Sequence, residues 1–169
     1  LPLVVRTAND FSLVETSRQA ATLGAMPLGR LKGGHGQFGV FVRALTYMLS
    51  MGGDGLARAA GDAVLNANYI LASLKDDLSL PYEGPCMHEV LFDDRFLKDT
   101  GVTTLDFAKA LIDEGFHPMT VYFPLDVHGA MRVEPTETEK RQTLDQFIAA
   151  MKTLASRART GDAASFRAA

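Results

Sequence analysis

With a single cysteine, Cys86, this chain of 169 residues can form no internal disulfide, and it cannot build a cysteine-based zinc site from its own residues. Such cysteine usage suits a reducing compartment, so a cytoplasmic location is expected. Positive charge is also scarce. The 17 Lys and Arg residues are outnumbered by 20 Asp and Glu, giving a net charge of −3 and a pI near 5.8. Sequence-independent nucleic-acid binding draws on phosphates neutralised by Lys and Arg, so no nucleic-acid partner is expected. No apolar run approaches the roughly 18 residues that suggest a membrane span, and residues 1–5 are too few for a signal-peptide core. A membrane partner is therefore not expected. There is no internal repeat, no low-complexity segment and no initiator methionine. A chain that opens on Leu-Pro-Leu-Val-Val and closes on Asp-Ala-Ala-Ser-Phe-Arg-Ala-Ala is expected to be a piece of a longer protein with a frayed tail.

What is present is an ordinary globular composition, 47% hydrophobic and 22% charged, in a length that can bury about 68–70% of its unfolded surface around one core. Residues 6–37 show weak periodicity and read as an irregular lead-in, with a glycine-rich turn at Gly33-Gly34-His35-Gly36. Over 38–51 the apolar residues Val40, Phe41, Ala44, Leu45, Met48 and Leu49 recur at the spacing of one buried helix face. Gly52-Gly53 ends that helix and Asp54 caps a second through about Leu74, giving an antiparallel hairpin. Strands are predicted over 86–92, 120–123 and 130–133. A helix starting at Thr103 or Thr104 stops at Gly115. Thr136 with Glu139 fits a capping box for a last helix over 137–155. The order predicts an α+β unit, a helix hairpin plus a small, mainly antiparallel sheet covered by helices. Its expected layout is a lead-in over 1–37, a domain over 38–155 and a disordered tail over 156–169.

The joints of residues 115–139, with His117, Glu134, Thr136 and Glu137, form the densest cluster of chemistry-bearing side chains. The histidines His35, His88, His117 and His128 are not spaced as metal ligands: no pair sits at i, i+4 on a predicted helix, and no metal is expected. His88 and His117 read instead as pocket or interface residues, against the alternative of a ring satisfied by a backbone carbonyl. The glycine-rich turn lacks the lysine and spacing of a phosphate loop. Ser79, His88 and Asp93 make a triad only on paper, because no strand–turn–helix elbow presents the serine. Cys86 reads as a buried, inert thiol. Arg43 within an apolar helix face needs a partner to offset its desolvation. Asn66 and Asn68, in the middle of a helix, point to specific hydrogen bonds.

In order and spacing, these residues add up to a family resemblance. Phe38-Gly39-Val40 with Arg43-Ala44, Ala63-Val64-Leu65-Asn66-Ala67-Asn68-Tyr69, Cys86-Met87-His88-Glu89, Asp106-Phe107-Ala108-Lys109, Gly115-Phe116-His117-Pro118 and Glu134-Pro135-Thr136-Glu137-Thr138-Glu139 resemble the C-terminal part of glycine dehydrogenase (decarboxylating), the glycine cleavage system P-protein. The separate second subunit of many bacteria is the most similar form, over roughly residues 28–154, with departures at His35, Gln37 and residues 6–27.

The resemblance implies the C-terminal small domain of a fold type I enzyme that uses pyridoxal phosphate in the bacterial cytoplasm. That enzyme decarboxylates glycine and passes the aminomethyl group to the lipoyl arm of the H-protein, with the cofactor ring as electron sink. It also implies a subunit 1 partner in the two-subunit form, and oligomers. The family's Schiff-base lysine follows a histidine, and none of Lys32, Lys75, Lys98, Lys109, Lys140 and Lys152 does so. The cofactor is therefore expected to be held mainly by a large domain upstream, and the chain alone to be inactive. His88, His117, Thr136 and Glu137 are expected near the pocket or a subunit seam, with Arg43 and Asn66 anchoring the hairpin. The alternative is a stand-alone binding or assembly domain that keeps the fold without catalysis.

Overall fold

The computed structural model describes residues 3–6, 8, 10–14, 18 and 36–168, which divide between two compact units, Leu1–Ser50 and Met51–Ala169. The division falls at 50/51 rather than at the expected 37/38. In the first unit, where an irregular lead-in was expected, β1 (Leu3–Arg6) pairs antiparallel with β2 (Phe11–Val14), Leu3 opposite Val14 and Arg6 opposite Phe11. Both strands are short and rich in Val, Leu and Phe, the composition of a pleated ribbon. Gly33, Gly34 and His35 of the glycine-rich turn lie outside the described residues.

Helix α1 (Phe38–Leu74) is interrupted at Gly52, whose φ of 64° and ψ of 178° are not helical. Only glycine adopts that conformation without steric cost, so the break falls where the Gly-Gly pair predicts it. The buried face expected over 38–51 is absent: Val40, Phe41, Leu45, Met48 and Leu49 are all exposed. Arg43 is exposed as well, which corrects its reading as a buried anchor. The burial of α1 lies toward its far end, at Ala67, Ile70 and Leu74.

The second unit is built on a three-stranded antiparallel sheet in the order β3 (Val90–Phe92), β5 (Met131–Val133), β4 (Thr120–Val121). Val90 lies opposite Val133 and Phe92 opposite Met131, and Thr120 faces Arg132 across the other edge. The first strand is shorter than expected because Cys86 is held in a loop: Asn68 donates through Nδ2 to the Cys86 carbonyl (2.7 Å) and accepts from the Cys86 N–H (3.0 Å). The two mid-helix asparagines thus do make specific hydrogen bonds.

Helix α2 (Thr104–Asp113) starts at the capping box of Thr103 and Asp106, and its carboxylate, accepting from the Thr103 hydroxyl and N–H, is held below the usual range. It stops at Gly115 (φ 86°) in a Schellman arrangement, with Phe116 N–H donating to Leu111 O (3.1 Å) and Gly115 N–H to Ile112 O (2.8 Å). Helix α3 (Arg141–Arg159) begins four residues later than expected. Residues 136–139 close a turn instead, with Glu139 N–H donating to Thr136 O, while the Thr136 hydroxyl pairs with that of Thr138.

Along α3, Leu144, Ile148, Met151, Leu154, Ala155 and Ala158 are buried at helical spacing, and the same face continues past the expected end at 155. The segment expected to be a disordered tail forms α4 (Ala163–Ala168) and buries Phe166 completely. Phe166 stacks at 6.3 Å on Phe107, which meets Phe96 edge-on at 5.4 Å. Burying one such ring contributes about 1.5–3 kcal/mol toward ordering this short segment. Arg157 adds to this by donating to Ser165 Oγ (2.9 Å) and lying over the Phe166 ring.

Gly129 has a φ of 60°, and a Cβ there would overlap the Asp94 side chain. Gly129→Ala combines backbone strain with overpacking, so a loss of about 2–4 kcal/mol is expected. Urea denaturation of the purified variant checks this, and an unchanged midpoint would contradict the packing described.

Candidate functional site

Strand pleating places successive side chains of β5 on opposite faces. Met131 and Val133 are buried in the core, so Arg132 between them stands on the other face of the sheet, with Leu91 and Thr120 as its cross-strand neighbours. One step beyond the paired residues, Glu89 and Glu134 continue the register toward each other. Two carboxylates so placed repel. Arg132 lies between them, its Nη2 2.8 Å from Glu134 and its Nε 3.5 Å from Glu89. The second approach is an ion pair without hydrogen-bond alignment, and Nε is buried with no acceptor. The guanidinium also lies 5.2 Å from the centroid of the Phe123 ring, a favourable place for a cation.

Two clefts share Arg132. The first, of about 360 Å³, has an apolar floor that includes Ile70, Val133, Leu144 and Phe147, and polar groups at His117, Glu134 and Glu139. Phe116, delivered by the turn at Gly115, meets Phe147 edge-on at 5.6 Å on its wall. His117 Nδ1 lies 3.0 Å from the Pro118 carbonyl. A carbonyl can only accept, so Nδ1 carries the proton and Nε2 is the basic nitrogen of the neutral ring. The second cleft, of about 490 Å³, lies between residues 80–86 and Phe123-Pro124, with Glu89 and Arg132 at its base. Cys86 lines it, and burial pushes that thiol upward, away from thiolate reactivity.

Of the residues singled out from the sequence, His117 and Glu134 line the first cleft. Thr136 and Glu137 do not line it, although their neighbours Pro135 and Glu139 do. Asn66 holds this stretch in place by donating through Nδ2 to Thr136 O (2.9 Å). His88 is exposed and lines neither cleft. Arg43 belongs to the other unit. Ser79 donates to Asp93, whose carboxylate also accepts from the Arg95 backbone and guanidinium, and Phe96 N–H donates to Ser79 Oγ. That network caps the 3-10 turn of Asp94–Leu97 and contains no histidine, so the paper triad is a structural device. Among the described residues, no group of three His, Cys, Asp or Glu side chains is placed to hold a metal.

Reading the sequence missed Arg132 and Glu89. The pattern apolar–Arg–apolar in Met131-Arg132-Val133 was the available signal, and the pairing of Glu89 with Glu134 is visible only once the register is known.

The chain matches the family model described as glycine dehydrogenase, C-terminal domain, over residues 59–167. It is 58% identical over 169 residues to a probable glycine dehydrogenase (decarboxylating) subunit 2 of Caulobacter vibrioides, covering 99% of this chain and 32% of that protein. It is 45% identical over 158 residues to the protein so named in Staphylococcus haemolyticus, covering 94% of this chain and 31% of that one. Its fold is similar to the crystal structure of glycine decarboxylase (P-protein) of the glycine cleavage system in inhibitor-bound form. That match has a TM-score of 0.62 and 18% identity, over 91% of this chain and 35% of the other. The chain thus spans about a third of the length of the curated relatives it matches.

Beside the clefts, His128 Nδ1 lies 3.1 Å from the Asp94 carboxylate on an exposed turn, and this hydrogen bond and charge raise the imidazole above its ordinary value. A raised folded-state value contributes stability that is complete below about pH 6.5 and is lost as pH rises through the raised one. Titration by NMR is expected to place His128 above a free histidine and to return it close to about 6.5 in Asp94→Asn. Equal titration in both proteins would contradict the pair.

Proposed function

The chain belongs to the glycine dehydrogenase (decarboxylating) family, carrying its C-terminal domain, and from that premise we propose that it serves a glycine-decarboxylating enzyme of the glycine cleavage system. In this reading the whole protein uses pyridoxal phosphate, has a fold type I large domain, and works in the bacterial cytoplasm. It passes the aminomethyl group of glycine to the lipoyl arm of the H-protein and assembles with a subunit 1 as an oligomer. The observation that carries the proposal is the identity of 58% maintained over 99% of the chain.

The residues of the two clefts do not fit the cofactor as a cradle. None of them is a lysine, and their one guanidinium, Arg132, already sits between two carboxylates that would repel a phosphate. The cofactor's lysine and phosphate donors are assigned to the part of the enzyme outside this chain.

The role left to this domain is to wall and order a pocket. Phe116, Phe147, Leu144 and Val133 exclude water from one side of the 360 Å³ cleft. His117, with Nδ1 committed to the Pro118 carbonyl, offers Nε2 to accept or return a proton. Arg132 holds Glu134 in place at the cleft rim. His88, Thr136 and Glu137 are proposed to act at the seam with the rest of the enzyme, and Asn66 to anchor Thr136.

Two measurements test this. In the complete enzyme His117→Ala is expected to lower glycine decarboxylation by about 10²-fold while shifting the melting temperature little. A large melting shift with activity retained would return His117 to a structural role. The 169-residue chain alone, mixed with stoichiometric pyridoxal phosphate and then borohydride, is expected to show no one lysine modified in preference to the others. A single modified lysine found by mass spectrometry would overturn the assignment of the cofactor to the rest of the enzyme.

A further inference from the structure

The connection from β4 to β5 is fixed at its ends and loosely held between them. Tyr122 N–H donates to Ala130 O (2.8 Å), the Gly129 carbonyl accepts from the buried Thr104 hydroxyl (3.3 Å), and Gly129 packs against the Asp94 side chain. Tyr122 also takes a left-handed φ of 59°, a region that bulky side chains rarely enter. Of residues 123–128 only Val127 is buried, and it lies outside the main apolar core. Leu125, at the tip, is 88% exposed. Phe123 and Pro124 wall the 490 Å³ cleft, while Asp126, Val127 and His128 wall a further groove of about 390 Å³ against Pro81, Tyr82 and Arg95. Much of the span thus faces hollow space, and a segment with so few packed contacts opens easily.

Two side-chain contacts tie it down. The Tyr82 hydroxyl donates to the Asp126 carboxylate (3.2 Å), and His128 Nδ1 lies 3.1 Å from Asp94. Among the described residues no backbone hydrogen bond joins 123–128 to 80–95. Asp94 is a firm mount, its side chain 25% exposed and packed on Gly129, whereas the imidazole stands 94% exposed. The other charged or titratable groups around the shared groove are Asp126 and Tyr82, which bond to each other, and Asp93 and Arg95, which pair at 2.7 Å. Asp94 is therefore the partner that favours the protonated ring, which its hydrogen bond and charge hold above the ordinary value. The ring's charge is complete well below that raised value and is lost as pH rises through it.

We propose that residues 123–128 are a lid on the second cleft, latched by the His128–Asp94 ion pair and the Tyr82–Asp126 hydrogen bond, and that the latch slackens when the imidazole gives up its proton. The cleft behind it has the size and the largely apolar lining that take a small organic molecule. Cys86, the one cysteine of the chain, lines that cleft and reports on entry to it. The lid concerns the second cleft alone, and it holds whether or not the decarboxylation reading stands.

Alkylation of Cys86 by N-ethylmaleimide in the complete gene product, read by peptide mass spectrometry, tests it. The thiol's own ionisation cancels when two proteins are compared at one pH. His128→Asn, whose amide can still donate but carries no charge, is expected to react about two- to fivefold faster than the unsubstituted protein at about pH 6 and at the same rate at about pH 8.5. His128→Lys, cationic at both, should match the unsubstituted protein at about pH 6 and react about two- to fivefold more slowly at about pH 8.5. Tyr82→Phe, which keeps the ring and loses the hydroxyl, should react faster at both. Rate ratios that are the same at the two pH values for both His128 variants would overturn the proposal. A Cys86 that stays unlabelled in every protein would overturn it too, since something other than the lid would then close the cleft.

Discussion

The alternation of three residues at the centre of the sheet governs both the core and the clefts of the second unit. Met131 and Val133 point into the apolar interior that α2 and α3 cover. Arg132, forced to the opposite face by the pleat, then neutralises Glu89 and Glu134 where the strand register brings them together. A slip of one residue would bury the guanidinium and expose the core, so the register and the clefts stand or fall together. Glu134 leads directly into Pro135 and Thr136, and the Asn66 amide ties that stretch to α1. One strand therefore connects packing, electrostatics and the shape of the candidate site.

Much of this was legible because the signals are local. Thr103 and Asp106 cap α2, Gly115 ends it, Gly52 breaks α1, and the antiparallel pairing of the strands near residues 120 and 133 follows from their short connection. Each depends on residues within a few positions of one another. Thr136 with Glu139 misled for the same reason: the capping-box spacing was present, but the segment forms a turn held by a side chain 70 residues away.

What could not be read depends on long-range pairing. The ion-pair cluster of Glu89, Arg132 and Glu134 needs the sheet register, and the closing residues 163–168 look like a frayed end until Phe166 is placed against Phe107. The apolar face of residues 38–50 carries the periodicity of a buried helix face, yet among the described residues it is exposed. Sequence periodicity reports that a surface wants a partner and is silent about which one.

The central claim is that the 360 Å³ cleft forms one wall of a glycine site in the complete enzyme. Modification of the histidines by diethylpyrocarbonate, followed residue by residue with mass spectrometry, addresses it with an internal control. Saturating glycine should slow modification at His117 and leave the solvent-facing His128 unchanged. If glycine changes neither rate, the cleft is a surface feature of this domain and its proposed place beside the substrate is contradicted.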